Sequence, residues 1–445
     1  MMALSKKTLG FSIGGAMVAI VIVLLMINAN IAGPDGDGGG EEEPTVPPVT
    51  VEFGTPYVFN KQGYEPGIAS DSDGTMYITA HKNLDDKTTW DYLASWFFVS
   101  KDNGATWESP GGIPRGNLWK TYVGDEGDIA VDAQDKIYFL DTYIIDNHIH
   151  VWANDDQYQY SLRVQKTVGL DDRPWLAGQG NGILHYLGNN AVEVNGGRYW
   201  YYRSGNGGRT WTAGDPVPGN GWASIDAERN GDHVYIVSEA DVGVAADIRM
   251  YVSDDGGRTF NWDSPIVIGH RDGPGREYPV VSTFGDDGIV WVLWNDATDC
   301  DTNGTRLFIG RSMDYGRTWE TWNVTPFEGP AYMDYPTINA GPDGSVAIAF
   351  YATETLPLSD ESEWYLYGGM DLKGAYQSTP SINFTKGDPT PCYIGTNTHA
   401  LHDFFEIVIT PDLALNIAYQ YYVGPTNGAS ELYFVRGTYP QTPSI

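Results

Sequence analysis

Beyond residue 50 the chain is written in short runs where apolar and polar residues alternate, such as "TMYITAH" (75–81) and "RMYVSDD" (249–255). A period of two puts successive side chains on opposite faces of a strand, and few stretches show the 3.6-residue period of a helix. The runs come in pairs about a Gly- or Asp-containing turn, each pair opened by an acidic or Pro-containing segment. "YEPGIASDSDGTMYITA" (64–80) is the first, and the others span 125–141, 172–188, 221–239, 277–294, 334–351 and 403–420. Each reads as a β-hairpin. A third apolar run follows each pair: "WFFVS", "YSLRVQ" (160–165), "RYWYYRS", "IRMYVS", "RLFIGRS", "WYLYGG" and "ELYFVRG". A fourth, such as "PIVIG" (265–269), precedes the next hairpin. Four antiparallel strands repeated seven times predict an all-β, seven-bladed β-propeller, with six or eight blades as the neighbouring solutions. The last unit lacks an outer strand of its own. "VEFGTPYVF" (51–59), just upstream of the first hairpin, is expected to supply it and lock the ring.

Composition sharpens this picture. Aromatic residues make up 13%, with 15 Trp, 29 Tyr and 54 Gly, which suits strands and tight turns and excludes a disordered chain. The net charge of −32 disfavours nucleic acid and anionic lipid as partners. At the N-terminus, Lys6 and Lys7 precede an uncharged span from Thr8 to Gly33 with a strongly apolar part of about 18 residues. The lysines should stay cytoplasmic. The expected organisation is a cytoplasmic tail (1–7), a transmembrane signal-anchor helix (8–32), a flexible low-complexity linker (33–50) and an extracellular propeller (51–445). Were 8–32 instead a cleaved signal peptide, the propeller would be secreted.

One eight-residue turn recurs: "SKDNGATW" (100–107), "SGNGGRTW" (204–211), "SDDGGRTF" (253–260) and "SMDYGRTW" (312–319). It follows the third strand of four units. The pattern S-x-D-x-G-x-T-W resembles the Asp-box, or BNR repeat, of the sialidase-like propellers, and the resemblance covers nearly all of residues 51–440. Asp102, Asn206, Asp255 and Asp314 take the acidic position. A side chain there can accept hydrogen bonds from the turn's own N–H groups, and the Gly permits a positive φ. The resemblance places these turns on the side away from the family's active site, so they read as fasteners.

The same resemblance puts function where the chain enters each inner strand. Glu65, Glu126, Asp128, Asp172, Trp175, Trp222 and Asp403 are the binding candidates there. Asp141, Glu239, Asp241, Asn295, Asp296 and Glu354 join them from the loops between second and third strands. Sialidases clamp a substrate carboxylate with three arginines and attack with a Tyr activated by a Glu. The first arginine belongs at the first inner strand, which here reads "GYEPGIA", with Glu65 and no arginine. Arg173 and Arg276 are two candidate clamps; Tyr278 and Tyr335, with Glu277 and Asp334, are candidate catalytic groups. Asp172 and Glu277 adjoin the two arginines, and local ion pairing accounts for both equally well. Any single carboxylate of the rim serves equally well as a strand cap.

No cofactor is required. "DCDTNGT" (299–305) offers Asp299, Asp301 and Asn303 as calcium ligands, although the twelfth position, Gly310, lacks the closing carboxylate of a complete calcium loop. An Asx-rich turn accounts for the same residues, and Asn303 also opens an N-x-T sequon, as do Asn323 and Asn383. Cys300 and Cys392 allow one disulfide on that face. His81, His148, His150, His399 and His402 show no zinc-ligand spacing. Two functions follow: a surface-displayed propeller that binds glycans or glycoproteins, or a glycoside hydrolase, either a divergent sialidase or one using an acidic pair.

Overall fold

The computed structural model describes residues 50–82, 95–110, 127–141, 147–153, 157–164, 171–190, 198–241, 245–273, 278–297, 303–394, 396, 398–422 and 430–440. All of them fall within one compact unit, Pro48–Ile445. All seven predicted hairpins form: Tyr57–Ser70 with Met76–Lys82, Ile129–Val131 with Ile137–Asp141, Asp171–Gln179 with Ile183–Asn190, Ala223–Ala227 with Val234–Glu239, Val280–Thr283 with Val290–Asp296, Tyr332–Ala340 with Val346–Thr353, and Glu406–Ile409 with Leu415–Tyr422. We number the units one to seven in that order.

A third strand adds antiparallel to each hairpin, and within each unit the strands of a hairpin and its third strand lie side by side in chain order. Middle strands are apolar on both faces because a neighbouring sheet covers each side: Val290–Asp296 and Val346–Thr353 are buried at every residue. Unit two departs from expectation. Its third strand is His148–Ala153, and "YSLR" belongs to the fourth strand, Gln157–Arg163. That third strand is buried from His148 to Trp152, and its two histidines, His148 and His150, break the apolar run that would announce it.

Units one and seven share a strand. Tyr57–Ser70 is continuous over 14 residues. Its first part pairs with Ser430–Thr438 as the outer edge of unit seven, and its second part pairs with Met76–Lys82 as the inner strand of unit one. Glu52–Phe53 adds further pairs to the same C-terminal strand. The expected closing segment therefore runs straight into the first hairpin. The register slips between Tyr64 and Gly67, where Glu65 takes φ +52 ahead of Pro66. Unit six repeats the device, with Tyr335 at φ +51 ahead of Pro336 and a slip between Asp334 and Thr337. Such bulges re-aim the chain at a strand start.

The four recurring turns are closed by their own side chains. In the first, Asp102 accepts hydrogen bonds from the Thr106 N–H (2.9 Å), the Thr106 hydroxyl (2.6 Å) and the Ser100 hydroxyl (2.9 Å). Asp255 and Asp314 repeat the set, and Asn206 keeps the bond from the Thr210 N–H at 2.9 Å. Gly104 has φ +81, and a Cβ there would lie 2.0 Å from Phe434 of unit seven. Gly257, at φ +75, would likewise meet the Tyr201 hydroxyl of unit three, which donates to its carbonyl at 2.9 Å. The first and third turns are thus pressed against the preceding sheet, and that contact is what Gly104 and Gly257 permit.

Candidate functional site

The seven inner strands surround a cavity of about 580 Å³, lined by residues of every unit. An inner strand is a sheet edge whose outward N–H groups have no partner in their own sheet. Side chains from the neighbouring unit supply the acceptors. Glu406 of unit seven accepts the Ile68 N–H of unit one (3.0 Å), and Asp128 of unit two accepts the Leu176 N–H of unit three (2.6 Å). From unit four, Ser224 and Asp226 accept the Val281 and Thr283 N–H groups of unit five (3.0 and 2.9 Å). Ser282 then accepts from Ala340 of unit six, and Asn339 from Ile409 of unit seven, both at 2.9 Å. Every one of these bonds runs from a unit's side chain to the backbone of the next unit.

Three of the acceptors are carboxyls in the cavity wall: Asp128 is buried, and Asp226 and Glu406 are half-buried. Burial pushes Asp226 up to about 6, against hydrogen bonds from the Thr283 and Ala227 N–H groups and the charge of Arg229. Burial also raises Asp128, although the Leu176 and Ile129 N–H groups pull the other way. Glu406 stands well above the usual carboxylate range through burial and the adjacent Asp128 charge. The two carboxyls lie close enough to perturb each other. Gly67 makes room for this: a Cβ there would come within 3.1 Å of Glu406 Oε2.

Aromatic rings close the end of the cavity where the chain enters the inner strands. Trp175 meets Tyr278 edge-on (5.3 Å between centroids) and Phe404 at 5.1 Å, and Tyr278 packs on Trp222 at 4.9 Å. Arg198 covers the Trp222 ring at 4.1 Å. Trp175, Tyr278 and Phe404 are buried. At the opposite mouth, Ser72, Asn230, Phe284 and Pro411 line the cavity and are exposed.

The structure places the sequence candidates unevenly. Asp128 and Trp175 line the cavity with Tyr278, Tyr335 and Asp403. Glu65 is 2% exposed and accepts the Asp403 N–H at 3.1 Å, so the position that would hold an arginine carries a buried backbone cap. Tyr278 and Tyr335 are buried among core residues, and Asp334 is fully buried. Glu239 accepts the Trp222 N–H at 3.0 Å and pairs with the buried Arg271. Asp141 accepts the Ser95 N–H at 2.8 Å, and Asp296 pairs with Arg306 at 2.5 Å. His402 stacks on Tyr64 (3.9 Å), which stacks on His81 (4.4 Å); burial, then the His81 charge, push His402 down to about 3.

Arg276, Glu277, Glu126, Asp299, Asp301 and Cys300 lie outside the described residues, as do the side chains of Asp172 and Arg173. Asn303 is exposed, and Cys392 is buried with its Sγ 3.7 Å from the Tyr422 carbonyl. Among the described residues no group of three or more His, Cys, Asp or Glu side chains could hold a metal ion. None of their helices is long and apolar enough to cross a membrane; the 8–32 segment lies outside them. Sequence reasoning missed Glu406, Asp226 and Gly67. Their common mark is an acid or glycine inside an inner strand, where period-two patterning calls for apolar residues.

No protein-family model matches the chain, and no curated protein matches it. Among solved structures it is similar to a fungal alcohol oxidase of the AA5 family in complex with copper, at 11% identity over 88% of this chain and 76% of that one, with a TM-score of 0.54. It is also similar to NanB sialidase from Streptococcus pneumoniae (11% identity, 87% and 70% covered, TM-score 0.45) and to an α-L-arabinofuranosidase from Fusarium graminearum (11%, 88% and 97%, 0.41). At such identities the likeness speaks for fold alone. Successive antiparallel sheets, a strand shared across the closure and eight-residue turns after four third strands give the chain the fold of a β-propeller.

Proposed function

We propose that the protein is a seven-bladed, glycan-binding propeller displayed outside the cell by its N-terminal apolar segment, and that it binds without turnover. The observation that carries this reading is the engagement of the cavity's carboxyls. Asp128 holds two backbone N–H groups, Glu406 holds the Ile68 N–H, and Asp226 holds two more. A glycosidase acid or nucleophile must be free to reach the glycosidic oxygen or the anomeric carbon. Glu65, where the resemblance implies an arginine, is committed to the Asp403 N–H. A cavity of about 580 Å³ is of a size for a small saccharide, and the Trp175–Tyr278–Phe404 wall supplies the stacking surface sugars favour.

Hydrolysis is the second reading, favoured by the raised carboxyls in the cavity. The full chain titrated with sialosides, arabinosides and other glycan fragments, and assayed for release from their fluorogenic glycosides, separates the two. Saturable binding with no release, weakened about tenfold or more in Trp175→Ala, is the expected outcome. Release that Glu406→Gln abolishes would replace the binding reading with an acidic-pair hydrolase.

A further inference from the structure

The sixth position of the recurring turn is Arg209, Arg258 and Arg317 in the last three copies, and Ala105 in the first. Each arginine folds back and donates to the carbonyl of its turn's third residue: Asn206 (2.9 Å), Asp255 and Asp314 (3.1 Å). Beyond that shared bond the three part company. Arg209 donates to the Tyr160 hydroxyl at 2.9 Å and lies over its ring at 4.3 Å. Arg317 donates to both carboxylate oxygens of Asp254 at 3.2 Å. Arg258 meets a second arginine, Arg203, which stands near the end of the third strand of unit three.

A Cβ at Gly256 would lie 3.5 Å from Arg258 Nη1 and 3.9 Å from Arg203 Nη2, so both guanidinium groups border one point. Arg203 is fixed there by its Nε, which donates to the Gly256 carbonyl at 2.5 Å. Among the described residues its terminal nitrogens meet no protein acceptor, and no carboxylate forms an ion pair with either arginine. Asp255 acts on Arg203 only at longer range. Its oxygens already take the Ser253 and Thr259 hydroxyls and the Arg258 and Thr259 N–H groups. Asp254 is held by Arg317 and His233. Gln179 Oε1, 3.3 Å from the same point, faces the buried His185 ring at 3.2 Å. Burial and then the Arg258 charge push the Arg203 guanidinium below its ordinary value. Arg258 is exposed and Arg203 half-buried, so solvent reaches the pair.

We propose that Arg203 and Arg258 form a binding site for one tetrahedral oxyanion, sulfate or phosphate, free or as the monoester of a sugar.

Each guanidinium presents paired N–H donors in a rigid fork that matches two oxygens of such an anion. A tetrahedral group has oxygens enough for both forks, and its charge replaces the repulsion between two cations with attraction to each. The net charge of −32 opposes anions at long range, so direct contact has to hold the ligand. The Gly256 N–H donates to the Asp232 carbonyl in the hairpin turn of unit four, at 2.7 Å. That places the site on the face opposite the Trp175 wall, and neither arginine lines the cavity. Absence of glycan binding in the cavity therefore leaves the proposal intact.

The test is equilibrium dialysis of the full chain against radiolabelled sulfate at constant ionic strength. Saturable uptake of a single sulfate per chain is expected, displaced by phosphate and not by chloride. Arg203→Gln and Arg258→Gln should each weaken it about tenfold or more, and Arg209→Gln should leave it unchanged. A glucose sulfate monoester that displaces the label better than sulfate does identifies a sugar ester as the ligand; poorer displacement identifies the free ion. No saturable uptake, or uptake lowered equally by Arg209→Gln, would overturn the proposal. Should the variants fail to fold, phenylglyoxal modification of the wild type decides. Sulfate should shield Arg203 and Arg258 more than Arg209, and equal shielding of all three would overturn the site.

Discussion

The Asp-box turns and the channel ring use the same group for the same task, a carboxyl accepting backbone N–H groups, and leave it in opposite states. Asp255 is only partly buried. That burial pushes it up, but the Thr259 hydroxyl, the Thr259 and Arg258 N–H groups and the Ser253 hydroxyl together hold it down at about 2. Asp128, Asp226 and Glu406 also accept backbone N–H groups and are raised, chiefly by burial in the cavity wall. Donors decide the state in the open turn and desolvation decides it in the channel. The directions differ too. Turns such as those at Gly104 and Gly257 press back on the preceding sheet, while channel side chains reach forward to the next.

The contrast predicts unequal costs. Asp128→Ala strands two buried N–H groups and leaves Glu406 facing a void, for a loss of about 3–5 kcal/mol by denaturant unfolding. Asp255→Ala frees donors that water can reach, and about 1 kcal/mol is expected. Equal losses at the two sites would end the comparison. pH should separate them next. The Asp255 contribution is present above the ordinary carboxylate value and disappears only as pH falls through about 2, whereas that of Asp226 disappears as pH rises through about 6. Asp226→Asn should therefore flatten the neutral limb of a stability–pH profile and leave the acid limb unchanged. The smallest effect is Asn206→Asp, which gives the second turn a charged acceptor for the Thr210 N–H and hydroxyl. A gain of about 0.5 kcal/mol is expected, and a loss would mean that the Asn206 amide donating to Thr210 Oγ1 matters more.

Local chemistry explains what could be read from the chain. A hairpin is announced by alternation and turn residues within about twenty positions, and all seven were legible. The Asp-box was legible for the same reason, since Ser312, Asp314, Gly316 and Thr318 satisfy one another within a single turn. The third strand of unit two was misplaced because His148 and His150 interrupt its apolar run. At the candidate site, Asp128 and Trp175 were found at strand starts, but Glu406 was not. Its partners, Ile68 and Asp128, are brought to it only by closure of the ring. Glu65 and Glu239 carried the right chemistry for a binding rim, and only tertiary contacts reveal that a backbone N–H and Arg271 already occupy them.

The strand Tyr57–Ser70 has a consequence for biosynthesis. Its first part is among the first elements of the propeller to leave the ribosome, yet its partner, Ser430–Thr438, is the last of the described strands. At roughly 5–20 residues per second, that edge waits tens of seconds with its hydrogen-bonding groups unpaired. Throughout that interval Tyr57, Val58 and Phe59 form an apolar edge open to other nascent chains. A chaperone that binds extended segments would find its natural client there, and a truncation that removes the last strand would leave the same edge permanently open.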